Sequence, residues 1–322
     1  MQTYDKLALG NKARELGFIR DAFEKMSRLS EILQFVNADR ELSPLLALKG
    51  GTSINLTVFN LPRLSVDIDF DFAENQSKET TATNRERVSD LIGRHMASAG
   101  YTLREKSKRT HALDSFVYSY INSAGNHDNI KIEINYILRC HVLPTIHTTA
   151  QTSGAFPDFP VRTLSPIEIF ASKIVALSDR AAARDLYDFN NMICSNLFSK
   201  PDLTLLRKCA VLYRAVAGEL ATGGFNSNKI EAITPYKVRT ELLPMIRDTD
   251  RFDLQAARDR VTSFLAEYMI LTENETQFLK QFSAGYYEPQ LLFEDSDVLK
   301  RIKKHPMAIW RIQNIRAEQE KR

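Results

Sequence analysis

The sequence predicts an α/β (α+β) first half, entered through an N-terminal helix, and a helical C-terminal domain. Three observations predict it. Apolar and polar residues alternate with the period of a strand over residues 66–72 and 129–136. A period near 3.6 governs residues 11–37 and returns almost throughout from Leu203 to the end. Between the halves, residues 140–163 form a long connection punctuated by Pro144, Gly154, Pro157 and Pro160. Domains are therefore expected at residues 1–160 and 161–322.

The bulk numbers agree with a soluble globular protein. The chain has 322 residues, 43% hydrophobic and 26% charged, enough for a substantial core and two domains. A net charge of +3 permits a nucleic-acid partner without demanding one. No stretch approaches membrane-spanning length, and the start (Met1, Gln2, Thr3, Tyr4, Asp5, Lys6) lacks the order of a secretion signal. Three scattered cysteines, Cys140, Cys194 and Cys209, suggest a reducing compartment and no zinc site. A cytoplasmic protein with no membrane partner is expected.

The first helical pattern places Leu16, Ile19, Phe23, Met26, Leu29, Leu33 and Phe35 on one face. A short strand (45–48), a Gly50-Gly51 turn, a short helix (52–60) and a loop (61–65) follow. In the next strand Val66, Ile68, Phe70 and Phe72 alternate with Asp67, Asp69 and Asp71, so three carboxylates share one face. Aspartate is a poor strand former, and like charges two apart repel. A divalent cation is the natural compensation, because hard carboxylate oxygens suit Mg2+ (or Mn2+), which also bridges to phosphates. A solvated acidic strand face is the plain alternative. Gly50 and Gly51 lie between strand and helix, where backbone amides can approach a phosphate and the helix dipole favours negative charge. Thr52 or Ser53 would add a hydroxyl, although an ordinary tight turn has the same composition.

Residues 73–83 read as loop, 86–99 as a helix ending at Gly100, and 101–106, 115–121 and 130–138 as strands. In the last of these Ile130, Ile132, Ile134 and Tyr136 oppose Lys131, Glu133 and Asn135, and an exposed Glu133 paired with Lys131 or a neighbour is the plain alternative to a carboxylate with a site role. His141 and His147 fall in the long connection and receive no role. At Ser165 a helix begins with Pro166 in its first turn and Glu168 as reciprocal capping partner. If that helix runs on, Lys173, Arg180 and Arg184 stand at i, i+7 and i+11 and form a cationic stripe able to neutralise a triphosphate. Internal pairing, such as Arg184 with Asp188, is the alternative. Helices follow at 203–220, 254–271, 275–282 and 289–300, with loops at Gly223-Gly224 and 248–250 and a helix start at Pro235. The tail is basic (Lys300, Arg301, Lys303, Lys304, Arg311, Arg316) and carries Trp310, which suits either a solvated helix or a nucleic-acid patch.

The run L-K-G-G-T, then L-P-R-L-S-V-D-I-D-F, and later K-x-x-A-L with R-x-x-x-R-D-L-Y-D, resembles the AbiEii/AbiGii (MenT-like) nucleotidyltransferase toxins of type IV toxin–antitoxin systems. The resemblance covers about residues 45–189, with its motifs in the family's order. It implies a small mixed-sheet nucleotidyltransferase core, with the helical domain completing a nucleotide and acceptor cleft. It implies transfer of a nucleoside monophosphate from an NTP to a hydroxyl, with an RNA (tRNA 3′ end) acceptor in some relatives and a role in abortive phage infection. It also implies an antitoxin resembling a winged-helix regulator. On this reading Asp67, Asp69 and Glu133 are metal ligands. Gly50, Gly51, Thr52 and Ser53 hold phosphates with Lys173 and Arg180 or Arg184, and Asp185 completes the site. Asp71 is expected behind the ligands, and Arg63 and Ser65 either touch phosphate or set the loop. Two other classes share these motifs: a small-molecule (antibiotic-type) nucleotidyltransferase, and an inert nucleotide-binding module, against which the intact Asp67, Asp69, Glu133 and Lys173 set argues.

Overall fold

The computed structural model of the protein describes residues 5–218 and 223–320. Met1–Tyr4 of the N-terminal reading and the expected helix end at Leu220 lie outside the described residues. The chain divides into two compact units, neither contiguous in sequence. The first comprises Met1–Arg139, Thr145–Leu164 and Leu243–Asp250; the second comprises Cys140–Pro144, Ser165–Leu242 and Arg251–Arg322.

The first unit is built on an eight-stranded mixed sheet. Its strands are β1 (Leu46–Lys49), β2 (Asp67–Phe72), β3 (Thr102–Leu103), β4 (Lys108–Arg109), β5 (Leu113–Ile121), β6 (His127–Asn135), β7 (Ile146–Ala150) and β8 (Phe159–Thr163). The spatial order is β3-β5-β6-β2-β1-β8-β7, with β4 beside β5. β2 runs parallel to β6 and β1 parallel to β8, whereas β1 and β2 are antiparallel. Helices α1 (Lys6–Glu15), α2 (Arg20–Ala38) and α4 (Lys78–Ser98) belong to this unit. So does α3 (Gly50–Ser53), which continues as a π-helical turn, Ile54–Val58.

Strand alternation fixes the sheet's two faces. Ile68, Phe70 and Phe72 of β2 and Ile130, Ile132 and Ile134 of β6 are fully buried. They share one core with Phe23, Met26, Leu29 and Leu33 of α2 and Val88, Ile92 and Met96 of α4. Burying each such β2 side chain contributes about 1.5–3 kcal/mol, and a one-residue slip would drive aspartates into that core. The register that aims the carboxylates away from the core is therefore strongly held.

Several expected elements differ. The single N-terminal helix is two, because Gly17 takes a left-handed φ of 76° between α1 and α2. α4 begins earlier than expected, where the Ser77 hydroxyl accepts from the Thr80 amide. The long connection carries the strands β7 and β8, which a period-2 reading misses because both are short and β8 contains Pro160.

The second unit contains α5 (Pro166–Asp179), α6 (Ala183–Cys194), α7 (Lys200–Val216), α8 (Asn228–Glu231), α9 (Pro235–Lys237), α10 (Leu254–Tyr268), α11 (Glu273–Ser283), α12 (Ser296–Ile302) and α13 (Pro306–Gln319). The helix expected at 289–300 is a 3-10 turn, Pro289–Leu291, followed by α12. Glu168 does not close a capping box. Its buried carboxylate instead accepts from the Val142 and Leu143 amides and the Tyr213 hydroxyl, clasping three segments of this unit. Among the described residues no helix is long and apolar enough to cross a membrane.

Candidate active site

The polar face of the central strands concentrates charge. In the parallel β2–β6 ladder Asp69 lies directly opposite Glu133, and Asp67 opposite Lys131. On the other side of β2, Lys49 of β1 is registered with Asp69. Registered neighbours project to the same face. That face thus gathers Asp67, Asp69, Asp71 and Glu133 against Lys49 and Lys131. The lysines are already engaged: Lys49 Nζ lies 2.5 Å from Asp71 Oδ1, and Lys131 Nζ 2.8 Å from Glu133 Oε1. Among the described residues, Asp67 and Asp69 have no ion-pair partner within 4.0 Å. Burial, followed by the repulsion of Glu133 and Asp67 and opposed by Lys49, pushes the Asp69 carboxyl up to about 6.

This donor set fits a divalent cation. It offers hard carboxylate oxygens with surplus negative charge, and a cation would relieve the raised Asp69 pKa. As they stand, the side chains do not converge: among the described residues, no three His, Cys, Asp or Glu side chains are arranged to hold a metal. Glu133 is drawn to Lys131 and would have to exchange that partner for a metal.

Gly50 carries the closest approach to this face. Its φ is 68°, and a Cβ placed there would lie 2.6 Å from Asp69 Oδ2. Only glycine accepts both the left-handed backbone and the proximity of the carboxylate. Gly51 follows in α3, and its carbonyl accepts from Asn55 Nδ2 at 2.6 Å. Thr52 and Ser53 are buried, and their hydroxyls serve the fold. Thr52 Oγ1 donates to the Asp67 carbonyl and lies 2.6 Å from Ser65 Oγ, while Ser53 Oγ pairs with Thr163 Oγ1. Thr52 therefore pins the start of β2, and the expected hydroxyl cradle is not formed by either side chain. Ser65 joins that structural pair. Arg63 sets the loop, donating to the Leu64 carbonyl and bridging to Ile246.

In the second unit the expected cationic stripe is absent as a stripe. The helix stops at Asp179, Arg180 is extended (φ −142°, ψ 146°), and a new helix starts at Ala183. Lys173, Arg180 and Arg184 thus do not share one helix. The break instead folds α6 back so that its acids meet the lysine. Lys173 Nζ donates to Asp185 Oδ1 at 2.9 Å and to Asp188 Oδ2 at 2.8 Å, all three being buried. Arg180 Nε donates to the other Asp185 oxygen at 2.8 Å while its side chain remains 67% exposed. Burial alone would raise the Asp185 pKa; Lys173 and then Arg180 overcome it and hold that carboxyl well below the usual range. Arg184, half-buried, sits in the first turn of α6.

Two participants escaped the sequence reading. Asp188 is the second acid on Lys173; its spacing of three from Asp185 on a helix was the available signal. Lys49 neutralises part of the acidic face, and its place one residue before the glycine turn made it legible in principle; Lys131, two residues from Glu133 on the same strand face, forms the pair that the alternation offers.

A family model described as "Nucleotidyl transferase AbiEii toxin, Type IV TA system" matches residues 32–285, a span that includes both residue sets described above. Among solved structures, the chain is similar to MenT4, a nucleotidyltransferase toxin from Mycobacterium tuberculosis H37Rv. The TM-score is 0.61 at 17% identity, covering 95% of this chain and 99% of that one, a likeness of fold. No curated protein sequence matches significantly. With most of its length matched by the family model, this chain belongs to the AbiEii nucleotidyltransferase toxin family of type IV toxin–antitoxin systems, and it is a nucleotidyltransferase.

Proposed function

We propose that the protein transfers a nucleoside monophosphate from an NTP to a hydroxyl of RNA, a tRNA 3′ end being the acceptor class, in a Mg2+- or Mn2+-dependent reaction. The observation that carries this reading is the pair of unpaired carboxylates, Asp67 and Asp69, registered against Glu133 and overhung by the Gly50 turn. In the reaction the acceptor oxygen bonds to the α-phosphorus, the bond to the β-phosphate oxygen breaks, and pyrophosphate leaves. A divalent cation held by Asp67, Asp69 and Glu133 would supply neutralisation of phosphate charge and activation of the hydroxyl. The chain's own groups do the rest. Gly50 and Gly51 leave backbone room for phosphate oxygens, and Thr52 and Ser53 lock the turn from beneath. Asp71, paired to Lys49, steadies the strand.

In the second unit, Lys173 with Asp185 and Asp188 forms a preorganised ion cluster that holds Arg180 with an exposed guanidinium able to meet phosphate. Arg184 is a second cation for the nucleotide on the same segment. The biological setting we propose is phage defence in the cytoplasm, with an antitoxin of winged-helix type as the paired component.

One observation favours a small-molecule acceptor as the second reading. The basic tail is partly committed, since Arg301 donates to the Val142 carbonyl and Lys300 pairs with Asp297. Lys303, Lys304 and Trp310 remain exposed for RNA. Incubation with each labelled NTP, Mg2+ and total cellular RNA decides: label in RNA supports the first reading, and label only in a small hydroxylated compound replaces it.

A further inference from the structure

Within the second unit a cavity of about 410 Å3 opens among the end of α6, the start of α7 and α10. Phe198, Phe264 and Tyr268 supply aromatic walls, Lys200 and Arg260 supply cations, and Glu267 supplies a carboxylate. None of these residues belongs to the Lys173 cluster or to the acidic face. The size falls in the range of small-molecule sites, which pair apolar walls with a few placed polar groups.

The walls are built from the core outward. Phe264 meets Phe189 edge-on at 5.4 Å and is followed by Tyr268 at 4.9 Å, so an aromatic run leads to the rim. Phe198 stands edge-on to Phe170 at 5.8 Å. Arg260 is steadied by one hydrogen bond from Nη1 to Asn190 Oδ1, which leaves four of its five N–H donors outside that bond.

We infer that this cavity is a nucleotide-binding subsite, taking a nucleobase against Tyr268 and Phe198 and its phosphate at Lys200 and Arg260. A planar ring suits aromatic walls, and an anionic substituent suits the two cations. The Glu267 carboxylate can accept from an exocyclic amino group of the base. A purely aliphatic ligand would make no use of these three charged groups. The ligand is either a free mononucleotide or an unpaired nucleotide of an RNA strand; both present the same base and phosphate. Occupancy would bear on the ion cluster, because Phe170 lies one helical turn before Lys173 on α5 and Phe189 adjoins Asp188 on α6.

The test uses the full chain in EDTA, which removes metal-dependent binding, with 8-azido-adenosine 5′-monophosphate as photoprobe and peptide mapping of the adduct. Labelling within residues 192–203 or 260–268 is expected. The double variant Tyr268→Ala with Arg260→Gln should weaken labelling about tenfold or more, while Tyr268→Phe keeps it. Competition separates the sources. Displacement by free adenosine 5′-monophosphate at concentrations no higher than those of pentaadenylate identifies a mononucleotide site; displacement by pentaadenylate alone identifies an RNA site. Adducts confined to other segments, or equal labelling of a double variant with an unchanged melting temperature, overturn the inference. Nucleotidyl transfer is not part of the readout, so this result is independent of the roles proposed for Asp67, Asp69 and Lys173.

Discussion

Gly50 and Asp69 approach so closely that a single added carbon at residue 50 would lie 2.6 Å from the Asp69 carboxylate oxygen. The turn and the acidic strand are therefore one device, and each constrains the other. Gly50→Ala should cost about 1–3 kcal/mol, combining the left-handed backbone penalty with displacement of Asp69. Transfer activity should fall further than the stability loss explains. Thermal unfolding and a single-turnover assay on the same preparation check this.

The raised Asp69 pKa sets a pH dependence. Its folded value of about 6 exceeds the ordinary 3.8, so the folded protein binds the proton more tightly than the unfolded chain. Stability from this group is fully present below the ordinary value and is lost as pH rises from about 4 through about 6. Metal affinity should move the opposite way, rising as the proton leaves. Mn2+ binding followed by calorimetry should strengthen across pH 5 to 7 in the wild type. Asp69→Asn should flatten both trends.

Lys173 holds two buried acids, so its removal acts first on the fold. Lys173→Ala should destabilise the protein by about 3–5 kcal/mol, the range for stripping one partner from a buried ion pair. Lys173→Ala combined with Asp188→Asn should recover part of that loss. Chemical denaturation of the single and double variants measures the coupling. Equal stability of Lys173→Ala and wild type would remove the cluster's structural role.

Lys303 and Lys304 are two exposed cations of the tail. If they contact RNA phosphates, Lys303→Gln with Lys304→Gln should lower the slope of log affinity against log salt by about 1–1.5. Affinity for NTP should stay unchanged. Filter binding of RNA at several salt concentrations is the measurement.

The sheet face was legible because strand period and burial agree: Ile68, Phe70 and Phe72 point inward, so Asp67 and Asp69 cannot. Glu133 followed from the same alternation in β6. The registers that oppose Glu133 and Lys49 to Asp69 are tertiary facts that no local pattern carries. The break at Arg180 was hidden because Ala181, Ala182 and Ala183 favour helix as strongly as any residues do. The ion pairs of Lys173 and Arg180 with the acids of α6 outweigh that preference. Glu168 illustrates the same override, since a good local cap became a buried acceptor for a distant amide pair and a tyrosine. Thr52 and Ser53 have the composition of a phosphate cradle, and only their partners, the Asp67 carbonyl and Thr163, reveal them as internal braces.

In the proposed function, nucleotidyl transfer depends on the carboxylates of β2. The most direct measurement is the rate at which Asp69→Asn moves label from α-labelled NTP into acceptor with Mg2+ present, alongside wild type and with folding verified by circular dichroism. A loss of about a hundredfold or more in kcat, with the fold intact, is the predicted result. Transfer by a folded Asp69→Asn protein at the wild-type rate would contradict that dependence.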